Sequence, residues 1–246
     1  MNWTHAGRSD VGRVRPGNED SFFADPENGV FLVADGMGGH AAGEIASRMA
    51  AEMIGPDVAR AVAQGIGGRD LGDRIVQLIE EANQAIRGRA HSEPDKSGMG
   101  TTVTLLVLSS RGRYRVGQVG DSRGYVFRDG RIGQVTRDHT LVQQQVEEGR
   151  LTTEQARSHP LSHILTRALG TEVRVHVDIY EGEARAGDVF LLCSDGLTGM
   201  LSDEDIAEIL RSNGQDIEAA AEALIGAANA AGGQDNITAL LVRVGE

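Results

Sequence analysis

Four short clusters hold the side chains of this chain that are best placed to do chemistry: Asn18-Glu19-Asp20, Asp35-Gly36-Met37-Gly38-Gly39-His40, Ser194-Asp195-Gly196 and Gly233-Gln234-Asp235-Asn236. Three of them adjoin apolar, strand-like runs. Residues 31–34 lead into Asp35, residues 189–194 lead into Asp195, and Asp235 leads into residues 237–242. If those strand ends meet in the fold, their carboxylates crowd and repel one another unless a cation lies among them. Oxygen-only donors suit magnesium or manganese rather than zinc. The chemistry implied is metal-assisted.

The elements that must position these residues can be read from periodicity. Strands are expected over residues 2–6, 21–24 and 30–34, followed by a helix from Glu44 that Gly55-Pro56 interrupts or ends. A second helix, residues 70–89, carries Leu71, Ile75, Leu78, Ile79, Ala82 and Ile86 at helical spacing, with Pro94 beyond its end. Strands resume over 101–108 and 114–119, and residues 125–127 and 132–135 flank Asp129-Gly130 as a tight hairpin.

Residues 138–172 are polar and mixed, and read as an insertion or flap beside the site. Asp138-His139-Thr140 and the Gly149-Arg150 turn suit a surface segment. Its Arg150, Arg157 and Arg167 are the cations that could meet acidic or phosphorylated partners. Strands over 173–180 and 188–193 follow. Ser202 is placed to cap a helix from Asp203, with Asp205 in the first turn where the dipole favours an anion. An Ala-rich helix over 216–231 and a strand over 237–244 close the chain. Runs of strands and then a helix pair, twice over, predict an α+β sandwich of antiparallel sheets under helix pairs, not βαβ alternation. Residues 1–246 read as a single domain that includes the flap.

A net charge of −12 argues against nucleic acid or an anionic membrane as partner, because both need basic patches. Two bound divalent cations would offset part of it. The 33 glycines are nearly twice the background of about 7%, and many adjoin the acidic clusters, where the backbone must turn tightly or approach a ligand. Cys193 is the only cysteine and lies in an apolar run, so it reads as a buried, inert thiol. No run of eighteen apolar residues is present and the first residues do not open a signal peptide, so a cytoplasmic location is expected.

Other chemistries fail on their residues. Gly36-Met37-Gly38-Gly39-His40-Ala41 has alanine where the dinucleotide fingerprint needs glycine. Lys96-Ser97 lacks the glycines of a phosphate loop. Cys193 is followed by Ser-Asp-Gly-Leu-Thr-Gly, without the arginine that a cysteine phosphatase requires. His159 and His163 have no further zinc ligands around them and read as solvated loop residues.

Taken singly, each acidic cluster could be a turn or a cap. Together and in order they are hard to explain that way. Val14-Arg15-Pro16-Gly17-Asn18-Glu19-Asp20-Ser21, Asp35-Gly36-Met37-Gly38-Gly39-His40, Gly98-Met99-Gly100-Thr101-Thr102, Val119-Gly120-Asp121-Ser122-Arg123, Ser194-Asp195-Gly196-Leu197 and Gly233-Gln234-Asp235-Asn236-Ile237-Thr238 resemble the metal-dependent protein phosphatases of the protein phosphatase 2C family, in its compact bacterial branch. The resemblance spans essentially the whole chain. It implies a four-layer α/β/β/α sandwich and hydrolysis of phosphoserine and phosphothreonine in proteins by a metal-activated water at a dinuclear magnesium or manganese centre.

By motif, the resemblance implies that Asp35 bridges two metals. Asp195 and Asp235 complete one site, and Glu19 and the Gly36 carbonyl serve the other. Asp20 falls in an outer shell, and Asp121 with Asp195 matches a third metal site. Two cations about 3.5–4 Å apart acidify a water for in-line attack and offset charge on the phosphoryl oxygens. Arg15 is the candidate for bidentate contact with phosphate.

The leaving alkoxide is strongly basic and needs an acid, and His40 is the histidine nearest in sequence to the metal ligands. In animal relatives a histidine follows Asp-Gly directly, whereas three residues intervene here, so proton donation and a structural role at a helix start both stay open. Two other functions also stay open: a catalytically weak module that binds metal and a partner, and a hydrolase of small phosphate esters. The expected partners are phosphorylated proteins, targets of a serine/threonine kinase, met by a monomer in the cytoplasm.

Overall fold

The strands over residues 30–34, 103–108, 189–193 and 237–242 are buried on both faces because each sheet is covered on both sides at its centre. The computed structural model describes residues 1–38, 41–157, 159–214 and 216–245. In chain order it comprises β1 (Trp3–Asp10), β2 (Asp20–Asp25), β3 (Val30–Met37), α1 (Ala41–Ala63), α2 (Gly68–Ser92), a 3-10 turn (Pro94–Lys96), β4 (Gly100–Thr101), β5 (Val103–Leu108), β6 (Arg113–Val119), β7 (Arg123–Arg128) and β8 (Arg131–Gln134). Then follow α3 (Leu141–Glu147), α4 (Thr153–Arg157), β9 (Asp178–Glu183), β10 (Val189–Cys193), α5 (Asp195–Thr198), α6 (Asp203–Asn213), α7 (Ile217–Ala230) and β11 (Ile237–Val244).

One sheet has the order β1-β11-β10-β7-β8, and the other has β2-β3-β5-β6-β9 with β4 beside β3. All pairings are antiparallel. The period of two sorts each strand between two cores. On β3, Val30, Leu32 and Ala34 pack with α1 and α2, while Phe31 and Val33 face the other sheet. On β11, Ile237, Ala239 and Leu241 pack with α6 and α7, while Leu240, Val242 and Val244 face inward. Three apolar layers therefore separate four layers of structure, α/β/β/α, as expected.

The helical stripe of α2 is buried at every predicted position. The hairpin also forms as read: β7 pairs with β8 around Asp129 (φ 52°) and Gly130 (φ 75°), the left-handed pair that a two-residue turn of this twist requires. Ser202 caps α6, with a reciprocal bond from its own backbone to Asp205.

Two expected elements need correction, and one was missed. Gly55-Pro56 does not end the first helix; α1 runs through it. Ile54 and Val58 are fully buried on either side, and this packing outweighs the one hydrogen bond that proline cannot make. The strand expected from residue 173 begins only at Asp178. The short helix α5 was not anticipated.

Residues 138–172 hold α3 and α4, yet their start is no surface turn. His139 and Thr140 are buried, and Asp138 is paired with Arg123 at 2.7 Å. Among the described residues, no helix is long and apolar enough to cross a membrane.

Candidate metal centre

Asp20 on β2 and Asp35 on β3 are partners in register, so the two carboxylates start from neighbouring strands. The backbone of Asp35 is held on both sides. Its N–H donates to Thr102 Oγ1 (2.9 Å), and its carbonyl accepts from Thr102 N (2.9 Å) and Thr101 Oγ1 (2.9 Å). Gly36 N donates to the Glu19 carbonyl at 3.0 Å. A Cβ on Gly36 would lie 2.1 Å from the Gly43 carbonyl oxygen, and one on Gly43 would lie 2.0 Å from Glu19 Oε2. Only glycine at both places lets β2, β3 and the first turn of α1 close together with the Glu19 carboxylate among them.

The second sheet supplies the other half. Asp195 opens α5 directly after β10, and Asp235 precedes β11, the neighbour of β10. Asp20 joins the two halves: its Oδ2 accepts from Ser194 Oγ (2.7 Å) and Thr238 Oγ1 (2.6 Å), both on the opposite sheet side. Asn236 staples the loop before β2. Its Nδ2 donates to the carbonyls of Val11 (3.0 Å) and Gly17 (2.8 Å), and its Oδ1 accepts from Glu19 N (2.8 Å). The motifs contained Thr102, Ser194, Thr238 and Asn236, but nothing local marked them as supports.

The electrostatics are those of unrelieved crowding. Burial raises the Asp35 carboxyl well above its ordinary range, and the charges of Asp20, Asp195, Asp121 and Asp235 raise it further. Burial pushes Asp20 up to about 7 despite its two hydroxyl donors. Burial and then Asp235 raise Asp195, against a hydrogen bond shared with Asp35. Asp121 is raised by burial, then by Asp195 and Asp138. Asp35, Asp195 and Asp235 keep part of their surface open at the mouth, although protein surrounds Asp35 and Asp195 closely. At that mouth Arg15 Nη2 meets Asp235 Oδ2 at 2.6 Å.

Asp20, Asp35, Asp121, Asp195 and Asp235 thus come together at one end of the sandwich, with Glu19 and Gly36 beside them. Among the described residues, no three acidic, His or Cys side chains close on one point in finished metal-ligand geometry. Their chemistry still fits a hard divalent cation: the donors are all oxygen, and Asp20 Oδ1 is buried without a hydrogen-bond partner. His40 lies outside the described residues. All three arginines expected to meet partners are paired within the chain: Arg157 donates to the Leu201 carbonyl (2.5 Å), Arg167 pairs with Asp178 (3.0 Å), and the exposed Arg150 pairs with Glu148 (3.0 Å). Cys193 is fully buried, and burial pushes its thiol up to about 12.

The family model "Protein phosphatase 2C" matches residues 7–241. The chain belongs to the protein phosphatase 2C family. It is 42% identical over 243 residues to the serine/threonine protein phosphatase PstP of Mycobacterium tuberculosis, a match that takes in 98% of this chain and 45% of that protein. The chain therefore spans about half the length of this curated relative. It is 39% identical to the serine/threonine phosphatase stp of Listeria monocytogenes, covering 96% of this chain and 93% of that one. The catalytic domain of PstP, solved in complex with two manganese ions, superposes with a TM-score of 0.86 at 39% identity, covering 99% of each chain.

Proposed function

We propose that this chain is a metal-dependent serine/threonine protein phosphatase that uses Mn2+ or Mg2+. The observation that carries the reading is the meeting of Asp35, from one sheet, with Asp195 and Asp235, from the other, in mutual repulsion. In this reading Asp35 serves two metals, Asp195 and Asp235 complete one site, and Glu19 and the Gly36 carbonyl serve the other. Asp121 and Asp195 hold a third. Bound there, the cations supply Lewis acidity toward the phosphoryl oxygens and an acidified water as nucleophile.

The chain's own groups do the rest. Asp20, gripped by Ser194 and Thr238, ties the two sheets together behind the ligands. Arg15, anchored on Asp235 by one N–H, has four further donors with which to hold and orient a phosphate. His40 is the proposed proton donor to the leaving alkoxide. Replacing it with Ala should slow phosphothreonine peptides more than p-nitrophenyl phosphate, and equal losses would assign it a structural role. The physiological partners are proposed to be targets of a serine/threonine kinase, met by a cytoplasmic monomer. Residues 138–172 are proposed to position the phosphoprotein.

Turnover of a phosphothreonine peptide against a sugar phosphate is the deciding measurement, with chelation abolishing activity and manganese or magnesium restoring it. Preference for the sugar phosphate would make the chain a small-ester hydrolase. Metal binding without turnover of either substrate would leave a binding module.

A further inference from the structure

The turn between β6 and β7 carries Asp121, and it is gripped from two directions. Gly120 has a φ of 103°, and a Cβ there would lie 2.5 Å from Thr102 Cγ2, so the turn is pressed onto Thr102. The Thr102 hydroxyl in turn meets Ser122 Oγ (2.6 Å) and accepts from Asp35 N. From the other direction a single residue takes both polar groups of Gly120. His139 N donates to the Gly120 carbonyl at 2.9 Å, and His139 Nδ1 lies 3.1 Å from Gly120 N.

A backbone N–H can only donate, so Nδ1 is the acceptor, which places the proton of the neutral ring on Nε2. Nε2 faces Asp178 Oδ2 at 3.1 Å, and Arg167 Nη1 lies beside it at 3.2 Å while donating to Asp178 Oδ1 at 3.0 Å. The ring is 5% exposed, and burial holds its pKa below the ordinary histidine value although Asp178 pulls the other way. The His139 carbonyl also accepts from Thr166 N at 2.7 Å, so both ends of the 138–172 segment meet at this residue.

The reading above gives His139, Asp178 and Arg167 no role at the metals. We propose that His139 is a positioning residue: its ring fixes the peptide before Asp121 and so the aim of that carboxylate, while Asp178 and Arg167 fix the ring. Partners of this kind, one bond behind a ligand, are where loss of a single hydrogen bond is felt at the site. The inference rests on the phosphatase reading, with Asp121 as a site carboxylate.

The test compares His139→Asn, which keeps an acceptor near the Nδ1 position, with His139→Phe, which keeps a planar ring and no acceptor. In the metal-free full chain, hydrogen exchange of the Gly120 amide is expected to quicken about tenfold or more in the Phe variant and to stay near wild type in the Asn variant. With saturating manganese, the Phe variant should lose about 10–100-fold in kcat, and Asn should restore most of it. In an Asp121→Ala background, the Phe change should cost less than about twofold further, because the group it aims is gone.

Unchanged Gly120 exchange in the Phe variant, equal losses in Asn and Phe, or the same Phe loss with and without Asp121 would each overturn the proposal. If the Phe protein does not fold, Asp178→Ala, which frees the ring but keeps it, is read in the same way: faster Gly120 exchange supports the clamp and unchanged exchange overturns it. A wild-type protein without phosphatase activity would sink the functional reading alone, because the exchange measurement does not depend on turnover.

Discussion

Asp188 and Asp35 are both carboxylates set among apolar strands, and the fold treats them in opposite ways. Asp188 is 1% exposed and receives Arg128 through two bonds (2.7 and 2.6 Å) as well as the Arg185 amide. Asp138 is likewise forked by Arg123. Asp35, by contrast, is surrounded by Asp20, Asp195, Asp121 and Asp235, and burial together with their charges raises its carboxyl well above its ordinary range. Asp188 and Asp138 each come with their own guanidinium. The carboxylates at the end of the sandwich are left to repel, which suits a cation that the chain does not itself supply.

The strongest way to break this contrast is Asp35→Asn. Activity should fall by about 10³-fold or more, since the change removes charge and keeps size. The metal-free protein should at the same time melt higher, because an amide avoids the cost of burying or protonating a carboxyl among other carboxylates. Near-normal turnover at saturating manganese would refute the assignment.

Arg128→Ala tests the other half. Stranding a buried Asp188 should cost about 3 kcal/mol in a urea titration, while the folded fraction keeps its kcat. A small stability change would mean that the paired carboxylate is no more dependent on its partner than the crowded ones.

The pH response of the metal-free chain sharpens the contrast further. Asp20 is raised to about 7, and Asp35 and Asp195 are also raised, so between about pH 4 and 7 the folded state binds more protons than the unfolded one. Stability should therefore rise as pH falls through that window, and saturating manganese should flatten or reverse the trend. A metal-free melting temperature that falls from pH 7 to 5 would contradict it. The smallest effect is expected at Arg211, whose pairs with Glu204 and Glu208 are exposed: Arg211→Ala should leave the urea midpoint nearly unmoved.

What could be read from the chain alone follows a physical divide. Residues 237–244 have a strand pattern strong enough to give both bounds of β11, and Asp129-Gly130 and Ser202 announce a turn and a cap through local backbone chemistry. Pro56 misleads because its local cost is overridden by burial of Ile54 and Val58, which depends on a sheet elsewhere in the sequence. Residues 138–140 look polar and therefore exposed, yet His139 is buried because Gly120 and Asp178 satisfy its ring.

By itself, the sequence determined the layered α+β class and singled out the clusters with Glu19, Asp20, Asp35, Asp195 and Asp235, because periodicity and side-chain chemistry are local properties; Asp121 came from the family resemblance alone. Only the tertiary structure decided that Asp20 spans the two sheets through Ser194 and Thr238, that Asn236 staples the loop carrying Arg15, and that Arg157 and Arg167 are already committed. These are contacts between residues up to 225 positions apart. Nothing in the sequence near either partner encodes them, since the hydrogen bond exists only once both sheets have closed on the core between them.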